Sequence, residues 1–472
     1  MHRILFFCRG LAAIVFLVSA LPAAGSSFRV QCPNTTNLHP GPQFDSNGNL
    51  VKDPVHPGFI KCQEIAGGDG FATMGDGHQI YLFGFGPLSG LNDIVMGLPG
   101  TELATTFNNS ADPNAAKVEP ADIMNNGVLS ASSPAPLMAI DEDDEFFLTL
   151  SNVGMIMRPD LFEQHTVHFH GYPNASSFFD GVPDASVAVN IAGSFTYYYT
   201  APDAGTYFFH CHITPPEHLQ MGMVGQLYVR PRQNRLTAID NLHDSLIAAN
   251  KKAAVAVTAD GIGCSDILCT GQTPAPPASS AVGGKKYAYN DGDGSTRYDV
   301  EYPIQMMGFD PNFHYVGMTF NPEGFVDMKD KYFMLSGRSY PDTINTATIS
   351  TMGADGVSRP SQPQPTLINI PHGGRALLRI SDLNITEFHT LATIGIPMLV
   401  IADNARLLRD MAGNNMYYKT NSITMGGGES ADVILDAANV PAGTYFLYTT
   451  NLDHLSNDAE NFGGMMTEIV VN

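Results

Sequence analysis

The chain repeats itself at long range. AGTYFFHCH at 204–212 lines up with AGTYFLYTT at 442–450, and HTVHFHG at 165–171 lines up with HTLATIG at 389–395. Two matched pairs in the same order imply two copies of one domain. The repeated pieces are short, aromatic-rich and bounded by turn residues, as are HQIYLFGFG (78–86), FFLTLSN (146–152) and FTYYYTAP (195–202). Such segments read as strands, and short strands at close spacing pack as β-sandwiches. The expected fold is all-β: two sandwich domains, near 66–232 and 296–472, behind an N-terminal lead-in at 26–65. Between them, 233–295 reads as a linker. It contains a helix-like stretch, Thr237–Lys252, and the Pro/Ala/Ser/Gly-rich GQTPAPPASSAVGG at 271–284.

Composition narrows the setting. A net charge of −22 argues against nucleic acid and anionic membrane surfaces as partners. The acidic run at 141–145 is expected to be solvated charge where the strand 146–152 begins. Residues 1–25 have the pattern of a secretory signal peptide: a basic start, an apolar stretch from Leu11 to Leu21, and small residues near Ala23–Gly25. That stretch is too short to span a bilayer comfortably, so a secreted or periplasmic protein is expected. Cys8 would leave with the signal. Cys32 and Cys62 could close one disulfide and Cys264 and Cys269 another, as suits an oxidising compartment. Cys211 is left over, between two histidines.

Strand parity sorts the histidines. Side chains alternate faces along a strand. If 165–170 is extended, His168 and His170 share one face and His165 takes the other. If 207–213 is extended, His210 and His212 share a face and Cys211 takes the other. One ligand set is then His165, Cys211 and the downstream His218, with Met223 or Met221 nearby. The second is His168, His170, His210 and His212. Two imidazoles, a thiolate and a weak thioether are the ligands of a blue-copper site. A Cys/His₂ set alone could also hold zinc, but a trailing methionine is hard to motivate for zinc. Four imidazoles with no anion suit copper that meets oxygen or another small oxidant. Cys211 is bonded through the backbone to His210 and His212, which gives a short covalent path between the sets.

HTVHFHG followed by HCHITPPEHLQMGM resembles the multicopper oxidases, the cupredoxin family of laccases, ferroxidases and bilirubin oxidases. DGVPDASVAVNIAGSFTYYYTAPDAGTYFFHCH (180–212) is similar to the same family between the ligand strands. In the second copy the likeness extends to framework segments such as INIPHGGRALLRISDLN (368–384). The resemblance implies two cupredoxin-like Greek-key sandwiches. It implies His165, Cys211, His218 and Met223 as type 1 copper ligands. His168, His170, His210 and His212 would be one domain's half of a type 2/type 3 oxygen-reducing centre. Electrons from a small molecule, metal ion or protein would enter through an exposed His218, with dioxygen as acceptor. Ala392, Ile394, Tyr448 and Thr450 stand where the family's other four histidines belong, so the centre would be completed across the interface of a homo-oligomer, such as a trimer. Two other readings follow from the same residues. One is a single-site copper electron carrier. The other is an enzyme similar to the copper nitrite reductases, from which His168 and Thr450 depart.

The remaining histidines carry less chemistry. His389 reads as a core relic of a type 1 position and His454 as a last-strand loop residue near an interface. His78, His243, His314 and His372 read as surface or turn residues. Met306–Met307 and Met465–Met466 read as core filling. The sequons at Asn34, Asn108, Asn174 and Asn384 matter only if the host glycosylates secreted proteins.

Overall fold

The computed structural model describes residues 28–472 except positions 42, 44, 48–50, 52–57, 173–175, 202, 236–285, 320–323 and 411–413. The leader, the helix-like stretch at 237–252, His243, Asn174 and the Cys264–Cys269 pair lie outside the described residues.

The first sandwich comprises β1 (Ile60–Thr73), β2 (Gln79–Pro87), β3 (Glu102–Leu103), β4 (Met138–Asp141), β5 (Glu145–Gly154), β6 (His168–Phe169), β7 (Ser194–Thr200), β8 (Gly205–His210) and β9 (Val224–Arg230). One sheet runs β2-β1-β5-β7, with β3 on β1; the other runs β4-β9-β8-β6. Period-two burial makes the core: Phe146, Leu148 and Leu150 from β5 meet Tyr197 and Tyr199 from β7 and Phe209 from β8. Aromatic side chains suit this pleated, half-buried surface.

Two short hairpins, β10 (Lys286–Tyr287) with β11 (Arg297–Tyr298) and β14 (Ile349–Met352) with β15 (Ser358–Gln362), flank the second sandwich. Its larger sheet contains β12 (Val300–Phe309), β13 (Tyr332–Leu335), β17 (Arg375–Asp382), β19 (Met398–Asp403), β20 (Arg406–Leu407), β21 (Tyr418–Thr420) and β23 (Glu429–Asp436). The facing sheet runs β16 (Ile368–Ile370), β25 (Met466–Val471), β24 (Gly443–Thr449), β18 (His389–Ile394), β22 (Ser422–Met425). Mostly β-structure with few helices was the sequence expectation, and the chain has it.

The two sandwiches are fastened by buried polar groups. Arg379 is fully buried, 3.1 Å from Glu301 Oε2 and 3.7 Å from Asp432 Oδ1, with its guanidinium 4.8 Å from the Tyr228 ring centroid. Thr206 of β8 donates to Asp432 at 2.6 Å, and Gln226 of β9 donates to the Arg379 carbonyl at 2.9 Å.

Two readings need correction, the acidic run and His314. The acidic run is not solvated: Glu142, Asp144 and Glu145 are buried. Glu142 accepts from Asn290 and from Arg232 N, Asp143 pairs with Arg232 and Arg235, and Glu145 pairs with His39. Partners brought from far along the chain offset the desolvation. His314 is not a surface residue. Its ring is buried on the short helix Pro311–Gly317, with Nδ1 2.5 Å from the Tyr81 carbonyl and Nε2 2.9 Å from the Gln220 carbonyl. Asn384, at a sequon, is buried and hydrogen-bonded to Thr386, so it has no exposed amide to modify. The Cys32–Cys62 disulfide is present and ties the lead-in to β1. His78 and His372 are exposed, as expected.

Candidate metal centre

The antiparallel pairing of β6 with β8 sets His168 opposite His210 and Phe169 opposite Phe209. Cross-strand partners share a face, so the HTVHFHG and HCH segments bring their histidines to one side. His170 extends the ladder by donating its N–H to the Phe208 carbonyl at 3.0 Å. Phe169 and Phe209 point inward and pack 5.3 Å apart, between ring centroids.

On the buried side, His165, Cys211 and His218 bring one ligand atom each within 4.8 Å of one another, all three side chains being buried. Nδ1 of His218 lies 3.2 Å and Nδ1 of His165 lies 3.9 Å from Cys211 Sγ. Cys211 is free, and the Thr166 N–H donates to its sulfur at 3.4 Å. The far nitrogens of both rings, Nε2, are buried without a hydrogen bond. Gly67 lets the His165 ring sit against β1, since a Cβ there would come within 2.8 Å of His165 Cδ2.

A helix, Pro215–Gln220, delivers His218. Gly222 follows with φ +112°, a conformation that favours glycine. The turn closes with Met223 N donating to the His218 carbonyl (2.8 Å) and Cys211 N donating to the Met223 carbonyl (3.2 Å). Met221 and Met223 are both fully buried in the same core cluster as Cys211.

On the other side, His168, His170 and His210 form a second such group. His168 Nδ1 is 2.7 Å from the Asp180 carbonyl, and His210 Nδ1 is 2.7 Å from the Cys211 carbonyl. Anchoring one ring nitrogen on a carbonyl fixes the tautomer and frees the other as a ligand. Nε2 of His170 and Nε2 of His210 face each other at 2.8 Å. His212 adjoins them, its ring centroid 5.1 Å from that of His168 and 5.5 Å from that of His210, but its nitrogens fall outside the tight group of three. A cavity of about 620 Å³ opens beside His170 and His210, lined across from them by Asn384–Phe388 and Gly426–Glu429 of the second sandwich.

Burial sets the protonation. It pushes His218 and His210 down to about 3, His170 down to about 4, and His165 well below the ordinary imidazole range. All four are therefore neutral, the form that ligates a metal. Burial also pushes the Cys211 thiol up to about 11. A thiolate there needs a cation beside it. Two imidazole Nδ1 atoms directed at an unpaired buried cysteine sulfur, and carbonyl-anchored rings in the second set, together fit copper.

His218 differs from the sequence reading. It is fully buried rather than exposed. Its helix is held by the second sandwich, where Gln220 donates to Asp330 Oδ1 at 2.9 Å and accepts from Asp310 N at 2.8 Å. Glu163 covers its outer edge, with Oε2 3.8 Å from His218 Nε2. Glu163 and Asp180 were missed in the sequence. Glu163 lies two residues before His165, on the same strand parity, and that was the available signal.

Residues 101–233 match the family model Cu-oxidase_2, multicopper oxidase. That stretch is thus similar to a multicopper oxidase domain. "Multicopper oxidase MCE" of Talaromyces pinophilus is 30% identical over 162 residues, which are 33% of this chain and 25% of that protein. The matched part thus spans a quarter of that relative's length. Among solved structures, a blue copper oxidase from Nitrosomonas europaea superposes with a TM-score of 0.52 at 18% identity, over 87% of this chain and 85% of that one. A copper nitrite reductase from Nitrosomonas europaea gives a TM-score of 0.50 at 13% identity, over 87% and 93%. These two likenesses are of fold, and the fold is the cupredoxin sandwich.

Proposed function

We propose that the chain is a copper oxidoreductase of the multicopper oxidase type, taking electrons from a reducing donor and passing them to dioxygen. The observation that carries this is the convergence of His165 Nδ1 and His218 Nδ1 on the free Cys211 sulfur, one residue from the carbonyl-anchored His210. Copper, when bound, supplies one-electron transfer at the thiolate set and oxygen reduction at the imidazole set.

The chain's residues do the positioning. His165, Cys211 and His218 would hold the type 1 ion, with Met223 as a further ligand. Burial of these residues excludes water and keeps both imidazoles neutral. Cys211 joins the two sets covalently through His210 and His212. His168 and His210, through Nε2, would hold the second copper set together with His170 and His212. Because His218 is covered, the donor docks against the half-exposed Glu163 and the exposed Phe162 instead of the imidazole edge. The absence of histidine at 392, 394, 448 and 450 favours a single-site electron carrier and the retention of His168, His170, His210 and His212 opposes it; an oxidase would need the second set completed by another protomer. An extracytoplasmic location is supported by the leader pattern and the Cys32–Cys62 disulfide. No helix among the described residues is long and apolar enough to cross a membrane.

The test is oxygen consumption by copper-loaded protein supplied with a reductant. Steady uptake supports the oxidase. A visible thiolate charge-transfer band without uptake leaves the electron carrier, and nitrite turnover without oxygen uptake points to the nitrite-reductase-like reading.

A further inference from the structure

The imidazole set faces a cavity whose far wall belongs to the second sandwich. His170 and His210 face each other through Nε2 at 2.8 Å, and both line a space of about 620 Å³. Two loops at one end of the second sandwich close it: 383–388, between β17 and β18, and the glycine run 426–428, between β22 and β23. The glycine run comes close, since a Cβ on Gly428 would lie 3.8 Å from His170 Nδ1. With no side chains on that run, the backbone approaches the imidazole and the space beside it stays open.

The charges on that wall have one sign. Glu387 and Glu429 line the cavity, and among the described residues that line it there is no lysine or arginine. Both carboxylates are held by their own sandwich. Glu387 Oε2 is 2.9 Å from His454 Nε2, and Glu429 Oε2 accepts from Gly426 N at 2.7 Å. The His454 ring is itself fixed, stacked on Phe333 with ring centroids 3.8 Å apart. Burial pushes His454 below the ordinary imidazole range, so the ring is neutral and leaves the charge of Glu387 uncancelled. Leu219, Leu383, Ile385 and Phe388 supply apolar lining between the two acids and the imidazoles.

A space of this volume is about 8.5 Å across, the cube root of 620 Å³. A molecule that reaches His170 and His210 through it therefore passes both carboxylates at close range. Screening at physiological salt sets in over about 8 Å, and inside that range one unit charge changes the affinity of an ion by about tenfold. An anion such as nitrite is repelled. A small neutral molecule is not, and the apolar lining suits it. We propose that Glu387 and Glu429 make this cavity select a small neutral oxidant over an anion at the imidazole set. The inference rests on the proposed function and deepens it, since the residues that leave the imidazole set open to dioxygen close it to nitrite. It also gives His454 a task in a sandwich without the cysteine, that of holding Glu387 at the cavity wall.

The test is anion binding to the copper-loaded protein at about 0.15 M salt, where charges far from the cavity are screened. Azide is the probe. Its dissociation constant is read from the azide-to-copper charge-transfer band and from the electron paramagnetic resonance of copper at His168, His170 and His210, with the Cys211 thiolate band unchanged. Glu387→Gln and Glu429→Gln are each expected to bind azide about tenfold more tightly than wild type. Glu119→Gln, which removes an exposed acid outside the cavity, should bind it as wild type does. Glutamine keeps the shape of glutamate, and copper per chain in each variant, by elemental analysis, shows whether the set is still filled. Azide affinities within about twofold of wild type in both cavity variants overturn the proposal and leave the oxidase reading standing. Wild type that holds copper at the imidazole set but takes up no oxygen strikes the proposed function, and the azide comparison still decides the role of the two acids. An imidazole set that takes no copper overturns both.

Discussion

At the scale of single residues, Cys211 joins the two halves of the site. It is the free, buried thiol between carbonyl-anchored His210 and His212. Cys211→Ser is expected to abolish the visible charge-transfer band and cut donor-driven oxygen uptake by more than about tenfold. Copper at His168, His170 and His210 should remain, which electron paramagnetic resonance reads directly. A retained band would mean that the sulfur is not a ligand. His314 gives a pH prediction away from the metal ligands. Burial pushes it down to about 4, below its unfolded value of about 6.5. The unfolded chain then binds more protons, so the stability that neutral His314 contributes is present above about 6.5 and is lost as pH falls toward 4. The Tm of metal-free wild type should fall more steeply across that window than the Tm of His314→Gln. Parallel slopes would contradict the assignment.

At the scale of elements, strand parity places His168, His170 and His210 on one face and Cys211 on the other, while the His212 nitrogens fall outside the tight group. The pairing of β6 with β8 puts His168 and His210 together and sends Cys211 to the other face. What parity could not give was depth. His218 is buried because Gln220 and His314 clamp its helix to the second sandwich and Glu163 closes over it. Each of those contacts joins segments far apart in sequence, and no local pattern encodes them. The same applies to the acidic run, whose partners Arg232 and Asn290 come from beyond β9. The close approach of β1 to His165 makes a prediction at this scale. Gly67→Ala would place a Cβ 2.8 Å from His165 Cδ2, so the ring or the strand must shift. The thiolate band should move or weaken while copper at the His168 group is retained. An unaltered band would show that β1 does not set the His165 ring.

At the scale of the whole molecule, the repeat and the cupredoxin architecture were legible, and the way the copies are joined was not. Arg379, with Glu301 and Asp432, is buried where the sandwiches meet. Removing one partner of a buried ion pair leaves uncompensated charge, at a cost of about 3–5 kcal/mol. Arg379→Ala is expected to lose about that much in denaturant unfolding, whereas a surface arginine variant such as Arg406→Ala stays near wild type. A loss below about 1 kcal/mol would mean that Arg379 does not fasten the interface. The second copy has the sandwich and the buried His389–His454 pair, with Thr449 where the first has Cys211. The central claim is that one chain carries both a thiolate copper site and an occupied imidazole set, and copper per chain in the reconstituted protein, counted by elemental analysis, tests it most directly. The account predicts between about two and four coppers per chain, falling by about one in Cys211→Ser; about one in wild type would leave only the electron carrier, and none would contradict the ligand assignment from His165 to Met223.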